Sequence, residues 1–410
     1  MLMDYPAAAA EKEKDQKIPV TQYWMDIATM NQSIPGMSGA NSPTSGLMGK
    51  MMGARGFGPK RSMSLRLNSP NELPPEPVAD HDIPLGLKMG DALPLLIPQQ
   101  EKARYEKSEE GTERPIEKPK MRMLIYWGCG ENVGKGQPRV IDTQKMTPEE
   151  FGKALMPKHT AAVQHPPAPR AGWIYADWPN RKSSIQVPND GSLQGEQLVQ
   201  GNYIPDIKFK VDTNHDFMAP VEFTSVEGAL SDSIRFEWKA VPTAIGYYAM
   251  AIARNEKNGE TIFWVSSEIP DTGFGLMDYL PSADVKRFVK EKVVMSPDRT
   301  RCAIPKGVFK DSGGSMIQFI AYGDELNLTH PPKPKDPKVP WKPIWTVKMR
   351  SKSTGMTPVG AGDRRAEMRN SRESEQTGKE QSDERAKEKP EDGRQEGGSP
   401  LKKLKGLFGF

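Results

Sequence analysis

Two neighbouring stretches decide the fold: Ser233-Ile-Arg-Phe-Glu-Trp238 and Gly246-Tyr-Tyr-Ala-Met-Ala-Ile-Ala253. Apolar and polar residues alternate in the first stretch, which predicts a strand with one buried face. A turn through Pro242 separates the two stretches, and Asn258-Gly259 predicts a hairpin turn after the second. The region therefore begins as a series of short antiparallel strands.

Further strands and one helix are predicted on both sides of these stretches. The strands cover residues 221–226, 260–265, 302–305, 316–322 and 344–349. Residues 282–290 place Val285, Phe288 and Val289 on one helical face, which predicts a short amphipathic helix. Many short strands separated by turn residues are typical of an antiparallel β-sandwich, so the helix is expected to be an insertion in one.

The same stretch carries a family resemblance. Phe236-Glu-Trp-Lys-Ala-Val-Pro242, followed by Ala244-Ile-Gly-Tyr-Tyr248, resembles the second and third strands of a fibronectin type III or related immunoglobulin-like domain. The resemblance covers about residues 220–350 and implies that Trp238 packs under Tyr247 or Tyr248. More broadly, the chain resembles a group of exported bacterial proteins, which implies a periplasmic or surface setting but no particular activity.

The remaining sequence divides by composition. Predicted strands at 121–127, 139–142, 172–178 and 204–211 indicate a β-rich unit over residues 121–215. Residues 1–120 are expected to be a largely flexible leader with short strands, and 351–410 a disordered charged tail. Between them, residues 216–350 form the fibronectin type III-like sandwich. The predicted fold is mainly β, with one or two immunoglobulin-like antiparallel sandwiches and disordered flanks.

Composition and charge narrow the class of protein. The chain has 410 residues, 36% of them hydrophobic, and a formal net charge of +4. So balanced a charge does not predict nucleic-acid binding, and no apolar run is long enough for a membrane-spanning helix. Ala7 to Ala10, followed by Glu11-Lys-Glu-Lys14, looks like the end of a signal peptide. We expect a periplasmic or otherwise exported protein; an alanine-rich cytosolic N-terminus is the alternative.

The two cysteines and the glycine-rich loop around one of them suggest no catalytic site. The loop Gly128–Gly136 lacks the glycine and hydroxyl positions of a phosphate-binding loop, so we interpret it as a turn that leaves a strand. Cys129 and Cys302 leave two interpretations open, buried structural thiols or one disulfide bridge. No cofactor, metal site or catalytic residue is predicted.

Aromatic and methionine-rich stretches are the candidate binding features. Trp173 and Tyr175 share one strand face, and Trp178 lies on the other. These aromatic residues are expected either to form a strip that stacks on sugars or, as is commoner for tryptophan, to fill a core. Met48, Met51 and Met52 resemble a thioether metal site, but a flexible loop is favoured.

The sequence predicts a non-catalytic exported binding or scaffolding protein of the bacterial cell envelope. The expected partner is an envelope protein or glycan rather than nucleic acid. Residues 401–410 mix leucine, phenylalanine and lysine, which predicts at most a weak contact with a membrane or partner. The alternative is a hydrolase or sugar-active enzyme with its site in the first β-rich unit, around Trp173 to Trp178.

Overall fold

The structure is a computed structural model, and it describes residues 19–32, 59–98, 121–162 and 164–360. These residues form a mainly β structure with several sheets, which confirms the predicted fold class at that level. The predicted tail from residue 361 onward, its contact segment 401–410 and the Met48–Met52 loop lie outside the described residues. So do residues 1–18 and 99–120 of the predicted leader.

The described residues contain seventeen strands, two α-helices and one short 3-10 turn at Leu85–Leu87. The helices are α1 (Pro148–Leu155) and α2 (Ser282–Lys290). The strands are β1 (Thr21–Gln32), β2 (Lys60–Ser69), β3 (Ala79–Asp82), β4 (Ala92–Pro94), β5 (Arg122–Trp127), β6 (Arg139–Asp142), β7 (Ile174–Trp178), β8 (Gly195–Gly201), β9 (Ile207–Val211), β10 (Phe223–Glu227), β11 (Ile234–Trp238), β12 (Ala244–Arg254), β13 (Thr261–Val265), β14 (Arg301–Ile304), β15 (Ser315–Gly323), β16 (Leu326–His330) and β17 (Trp345–Val359).

The largest sheet has ten strands in the order β6-β5-β13-β12-β15-β17-β1-β2-β7, and β16 pairs with β17 beyond the end of β15. β17 runs parallel to β1 and antiparallel to β15, and β5 runs parallel to β13. Two smaller antiparallel sheets have the orders β10-β11-β14 and β4-β3-β8-β9. The first and last described strands are therefore neighbours inside the large sheet.

β17 belongs to two hydrophobic cores because it is 15 residues long. Its odd-numbered residues are all buried on one face of the large sheet. Trp345 to Met349 pack in the first core and Val359 in the second. Between them, Gly355 allows close approach, since a Cβ there would lie 2.7 Å from Val221 Cγ1.

In the first core, β1, β2, β7 and the start of β17 pack against the four-stranded sheet. A polar chain runs through it from Tyr23 to His81 to Gln197. The Tyr23 hydroxyl lies 2.8 Å from His81 Nδ1, and His81 Nε2 lies 3.0 Å from Gln197 Oε1. Gln197 Nε2 donates to the Leu193 carbonyl at 2.7 Å. Because an amide oxygen only accepts, Nε2 carries the proton and the Tyr23 hydroxyl donates to Nδ1.

In the second core, the three-stranded sheet packs against β12, β13, β15 and the end of β17. Trp238 of β11 lies edge-on to Tyr247 of β12, with ring centroids 5.7 Å apart. Phe319 of β15 contacts both rings, at 4.7 and 5.6 Å. Tyr248 faces the opposite side of the sheet, so Tyr247 is the tyrosine that meets Trp238.

Both helices cover the other face of the large sheet. α1 begins with a capping box between Thr147 and Glu150 and packs Ala154 against β5 and β6. α2 places Val285 and Phe288 over Tyr248 and Ile320. No helix of the described residues is long and apolar enough to cross a membrane.

Residues 121–215 are divided between two regions of the structure. β5, β6 and α1 extend the large sheet beside β13, whereas β7, β8 and β9 belong to the first core. The first core also contains β1 and β2, which are 12 and 10 residues long and come from the predicted leader. Alternating residues in both strands are a local signal, but they do not show that β1 pairs with β17 or β2 with β7.

The predicted boundary at residue 350 lies inside β17, which continues to Val359. The extension escaped prediction because its buried positions include small polar residues, Ser351, Ser353 and Thr357, rather than apolar ones. The predicted helix at residues 282–290 is present, as α2.

Candidate functional site

Both smaller sheets pack on one face of the large sheet, and the opposite face is here called the outer face. The strand register places even-numbered residues of β17, β1 and β2 there, with Tyr175 and Asp177 of β7 beside them. One row across the strands reads Lys348, Trp24, Arg66 and Asp177. Charged and aromatic side chains therefore meet on a single sheet surface.

The centre of this surface is the Asp26 carboxylate, whose side chain is 8% exposed. Arg350 donates to it from Nε at 2.7 Å and from Nη2 at 2.8 Å. Arg66 Nη1 and the Trp24 indole N–H each donate to it at 2.8 Å. Four charge-assisted hydrogen bonds hold these side chains in fixed positions.

Two aromatic rings enclose the Arg350 guanidinium. Its Cζ atom lies 4.8 Å from the Trp24 ring centroid and 4.6 Å from that of Tyr279. The Tyr279 hydroxyl donates to the Ile27 carbonyl at 3.0 Å, and burial raises the pKa of this phenol. The stacked, bidentate arrangement suits arginine and not lysine.

Five half-buried side chains form the accessible part of the surface, which we call the platform: Trp24, Arg66, Tyr175, Asp177 and Lys348. The Tyr175 hydroxyl donates to Asp177 Oδ2 at 3.3 Å. Burial, followed by the charge of Asp177, raises the pKa of Tyr175 to about 12. Burial also raises the pKa of Asp177 itself. The platform thus offers flat ring faces beside hydrogen-bonding groups of both charges.

The three sequence-predicted aromatic residues occupy three different environments. Tyr175 lies on the platform. Trp178 is 2% exposed in the first core, where its indole N–H donates to Ser183 Oγ at 2.9 Å. Trp173 is half-exposed before β7 and stacks on Arg170, whose Cζ atom is 3.3 Å from the ring centroid. The structure therefore does not join these residues into one aromatic strip.

Cys129 and Cys302 are joined by a disulfide with an S–S distance of 2.08 Å. It connects the loop after β5 to β14, an outer strand of the three-stranded sheet. Nearby, Gly130 N donates to the Ala303 carbonyl at 3.0 Å and Lys306 N to the Glu131 carbonyl at 2.8 Å. The glycine-rich loop thus covers the open edge of β14, and Gly128 and Gly136 at its two ends have positive φ angles of 98° and 83°, which favour glycine.

A histidine outside the platform forms a second polar pair. His159 Nδ1 lies 2.9 Å from Oδ2 of Asp271, a carboxylate with no exposed side-chain surface. His159 lies in the segment that follows α1. Two residues of α2 hold the same segment: Asp284 accepts from Ala162 N at 2.7 Å, and Arg287 donates to the Thr160 carbonyl at 3.1 Å. These bonds tie the segment after α1 to the region around α2.

Cavities and metal-ligand clusters add little to the site. A cavity of about 410 Å³ is lined by residues that include four prolines, Asn71 and Tyr203. None of its lining residues belongs to the platform. Within the described ranges, no group of three or more histidine, cysteine or acidic side chains is placed to hold a metal ion.

The chain matches no protein-family model and no curated protein.

The central residues Trp24, Asp26 and Arg350 were missed from the sequence. Asp26 and Arg350 are 324 positions apart, and only the parallel pairing of β1 with β17 brings them together. A local signal was present, since Trp24-Met-Asp26 and Lys348-Met-Arg350 both alternate polar with buried methionine. Such alternation predicts one polar strand face but not which strands adjoin.

Proposed function

We propose that this chain is a non-catalytic, exported binding or scaffolding protein of the bacterial cell envelope. Its ligand, a glycan or protein of the envelope, contacts the platform. The observation that carries the proposal is a half-buried Trp24 ring fixed by Asp26 and Arg350 on an open sheet face. A fixed aromatic ring stacks on a sugar or apolar side chain with little loss of conformational freedom.

The proposal includes a fibronectin type III-like sandwich around the second core. Supporting it, β10, β11 and β14 pack against β12, β13, β15 and β17, three strands against four. The Trp238–Tyr247 contact fits the resemblance, and the Tyr247 hydroxyl accepts from Val241 N at 2.9 Å. Sandwiches of this kind serve many functions, so the fold supports a binding role only together with the platform.

Export is supported by the Cys129–Cys302 disulfide. Disulfides persist in oxidising compartments such as the periplasm and are rare in the cytosol. We expect protein isolated from its natural host to fractionate with the periplasm or cell surface and to carry no alkylatable thiol. Recovery in the cytosol with both thiols free would contradict export.

One observation favours the alternative, a hydrolase. Burial raises the pKa of Asp177, and Asp26 lies on the same sheet face two strands away. A carboxyl group with a raised pKa resembles a general acid beside a second carboxylate. If Asp177→Asn abolishes hydrolysis of an envelope polysaccharide while leaving its binding intact, the chain is an enzyme and the non-catalytic proposal fails.

The binding proposal is tested with Trp24→Ala against a panel of envelope polysaccharides and soluble oligosaccharides. Loss of one stacked ring is expected to weaken binding at least about tenfold, or ~1.4 kcal/mol. The matched control is Trp341→Ala, which removes a half-buried tryptophan in the 331–344 connection, where its N–H donates to the Pro331 carbonyl at 2.9 Å. Equal binding by both variants would refute a role for the platform.

A further inference from the structure

The large sheet is interrupted beside β16. This strand pairs with β17 alone, and it continues the line of β15 beyond Gly323. β12 runs beside β15 only as far as Ala244, its first residue, which is the partner of Gly323. The position next to β16, in line with β12, therefore holds no strand of the described residues. We call this position the notch.

The backbone of β16 directs hydrogen-bonding groups into the notch. Across the parallel pair of β1 and β17, Thr21 N donates to the Ile344 carbonyl at 3.2 Å. The even-numbered residues at the start of β17 therefore direct their backbone groups towards β1, and its odd-numbered residues face β16. The partners of those odd-numbered residues are the even-numbered residues of β16. Asn327 and Thr329 thus direct their N–H and C=O groups away from β17, into the notch.

These groups have no protein partner within the described ranges. No hydrogen bond there joins the backbone of Asn327 or Thr329 to another segment across the notch. No residue of β16 is fully buried, although Leu326 and Leu328 pack against the first core and hold the strand in place. A fixed strand with unpaired backbone groups is a template for pairing with an extended chain.

The other outer strands carry features that discourage such pairing. β9 exposes Lys208 and Lys210, β10 has an irregular register between Phe223 and Ser225, and β6 is charged at both ends. β4 is only three residues long, Leu96 bonds to the edge of β7, and the glycine-rich loop covers β14. The sequence of β16, Leu-Asn-Leu-Thr-His, contains no proline, lysine, arginine or acidic residue, and its register with β17 is regular. β16 therefore lacks the usual protection of an edge strand.

We propose that the notch binds an extended peptide segment of a partner protein, which adds to the large sheet as a strand beside β16. The five residues of β16 span about 17 Å, so the segment pairs over ~5 residues. Its backbone bonds to Asn327 and Thr329. Its alternate side chains lie beside Leu326 and Leu328 on one face and on the outer face on the other, which favours alternating apolar and polar residues.

The shape of the notch decides between two sources of such a strand. Because β12 begins at Ala244 and blocks one end, the notch admits a single extended segment more readily than the sheet edge of a second copy of this chain. The site shares no residue with the platform and does not rest on the function proposed for it. It adds a peptide-binding position to the same protein.

The test uses the full chain and a phage-displayed library of random twelve-residue peptides. Peptides selected on wild type are synthesised with a fluorescent label, and their dissociation constants are measured by fluorescence anisotropy. The edge variant Asn327→Pro removes an N–H that faces the notch and keeps the bonds between β16 and β17. We expect it to weaken binding at least about tenfold. The matched control, Asn327→Ala, removes the same side chain but keeps the N–H, and it retains wild-type affinity.

N-methylation of the selected peptide tests the same bonds without altering the protein, so it decides the question even if Asn327→Pro fails to fold. Methylation of one alternate set of peptide amides is expected to abolish binding, because those amides face β16, and methylation of the other set changes affinity less than about twofold. The proposal is overturned if no selected peptide distinguishes Asn327→Pro from Asn327→Ala, or if both methylated sets bind alike. Self-association of wild type that Asn327→Pro abolishes would also overturn it and would assign the notch to a second copy.

Discussion

Acidification is predicted to destabilise the first core through His81. This histidine is fully buried between Tyr23 and Gln197, and burial lowers its pKa from 6.5 to about 4. The unfolded chain therefore binds a proton near pH 6.5 that the folded chain does not bind until about pH 4. Its contribution to stability is complete above pH 6.5 and is lost as the pH falls towards 4.

The loss amounts to about 3 kcal/mol at pH 4, because each unit of pKa difference corresponds to ~1.36 kcal/mol. Protonation also leaves the Tyr23 hydroxyl hydrogen without an acceptor, since Nδ1 becomes a donor. The assay is urea unfolding between pH 4 and 7.5, followed by tryptophan fluorescence, in wild type and in His81→Gln. Glutamine does not titrate, so the difference between the two curves isolates the histidine.

We expect the free energy of unfolding of the wild type to fall about 3 kcal/mol further than that of His81→Gln over this range. His81→Gln is less stable at pH 7.5, but this offset does not affect the slope. Parallel pH profiles for the two proteins would refute the buried neutral histidine. An NMR titration of the folded protein giving a pKa near 6.5 would refute it equally.

Two further predictions concern the links between distant parts of the chain. Reducing the Cys129–Cys302 bridge, whose cysteines are 173 positions apart, is expected to lower the free energy of unfolding by up to about 5 kcal/mol. The double serine variant should show no further response to reductant; identical urea midpoints with and without reductant in wild type would contradict the bridge. Asp26→Ala leaves Arg350 buried without its carboxylate and is expected to cost about 3–5 kcal/mol. Lys153→Ala, which removes an exposed ion pair of α1, is the control and should leave the urea midpoint unchanged; a similar small effect of Asp26→Ala would show that the pair is dispensable.

The strands of the second core were predictable because their patterns are local. Ile234, Phe236 and Trp238 alternate on one face, and Asn258-Gly259 lies in the turn that joins β12 to β13. The helix at 282–290 was equally visible from its apolar face. Each of these signals needs only a few adjacent residues.

The candidate site was much less predictable, because it depends on which strands become neighbours. Tyr175 was singled out for its aromatic ring, but Trp24 and Arg350 acquire a role only when β1 pairs with β17. Trp178 was also singled out for its aromatic ring, but the four-stranded sheet opposite buries it in the first core. Both strands alternate, but alternation does not tell which strands become neighbours.

Quantitative pull-down from envelope fractions tests most directly whether the platform binds a component of the bacterial envelope, as we propose. Wild type, Trp24→Ala and Trp341→Ala are compared as immobilised full-length proteins under identical conditions. We expect one glycan or protein to be enriched by wild type and Trp341→Ala and depleted about tenfold with Trp24→Ala. Equal recovery by all three proteins, or recovery of nothing above a blank support, would contradict it.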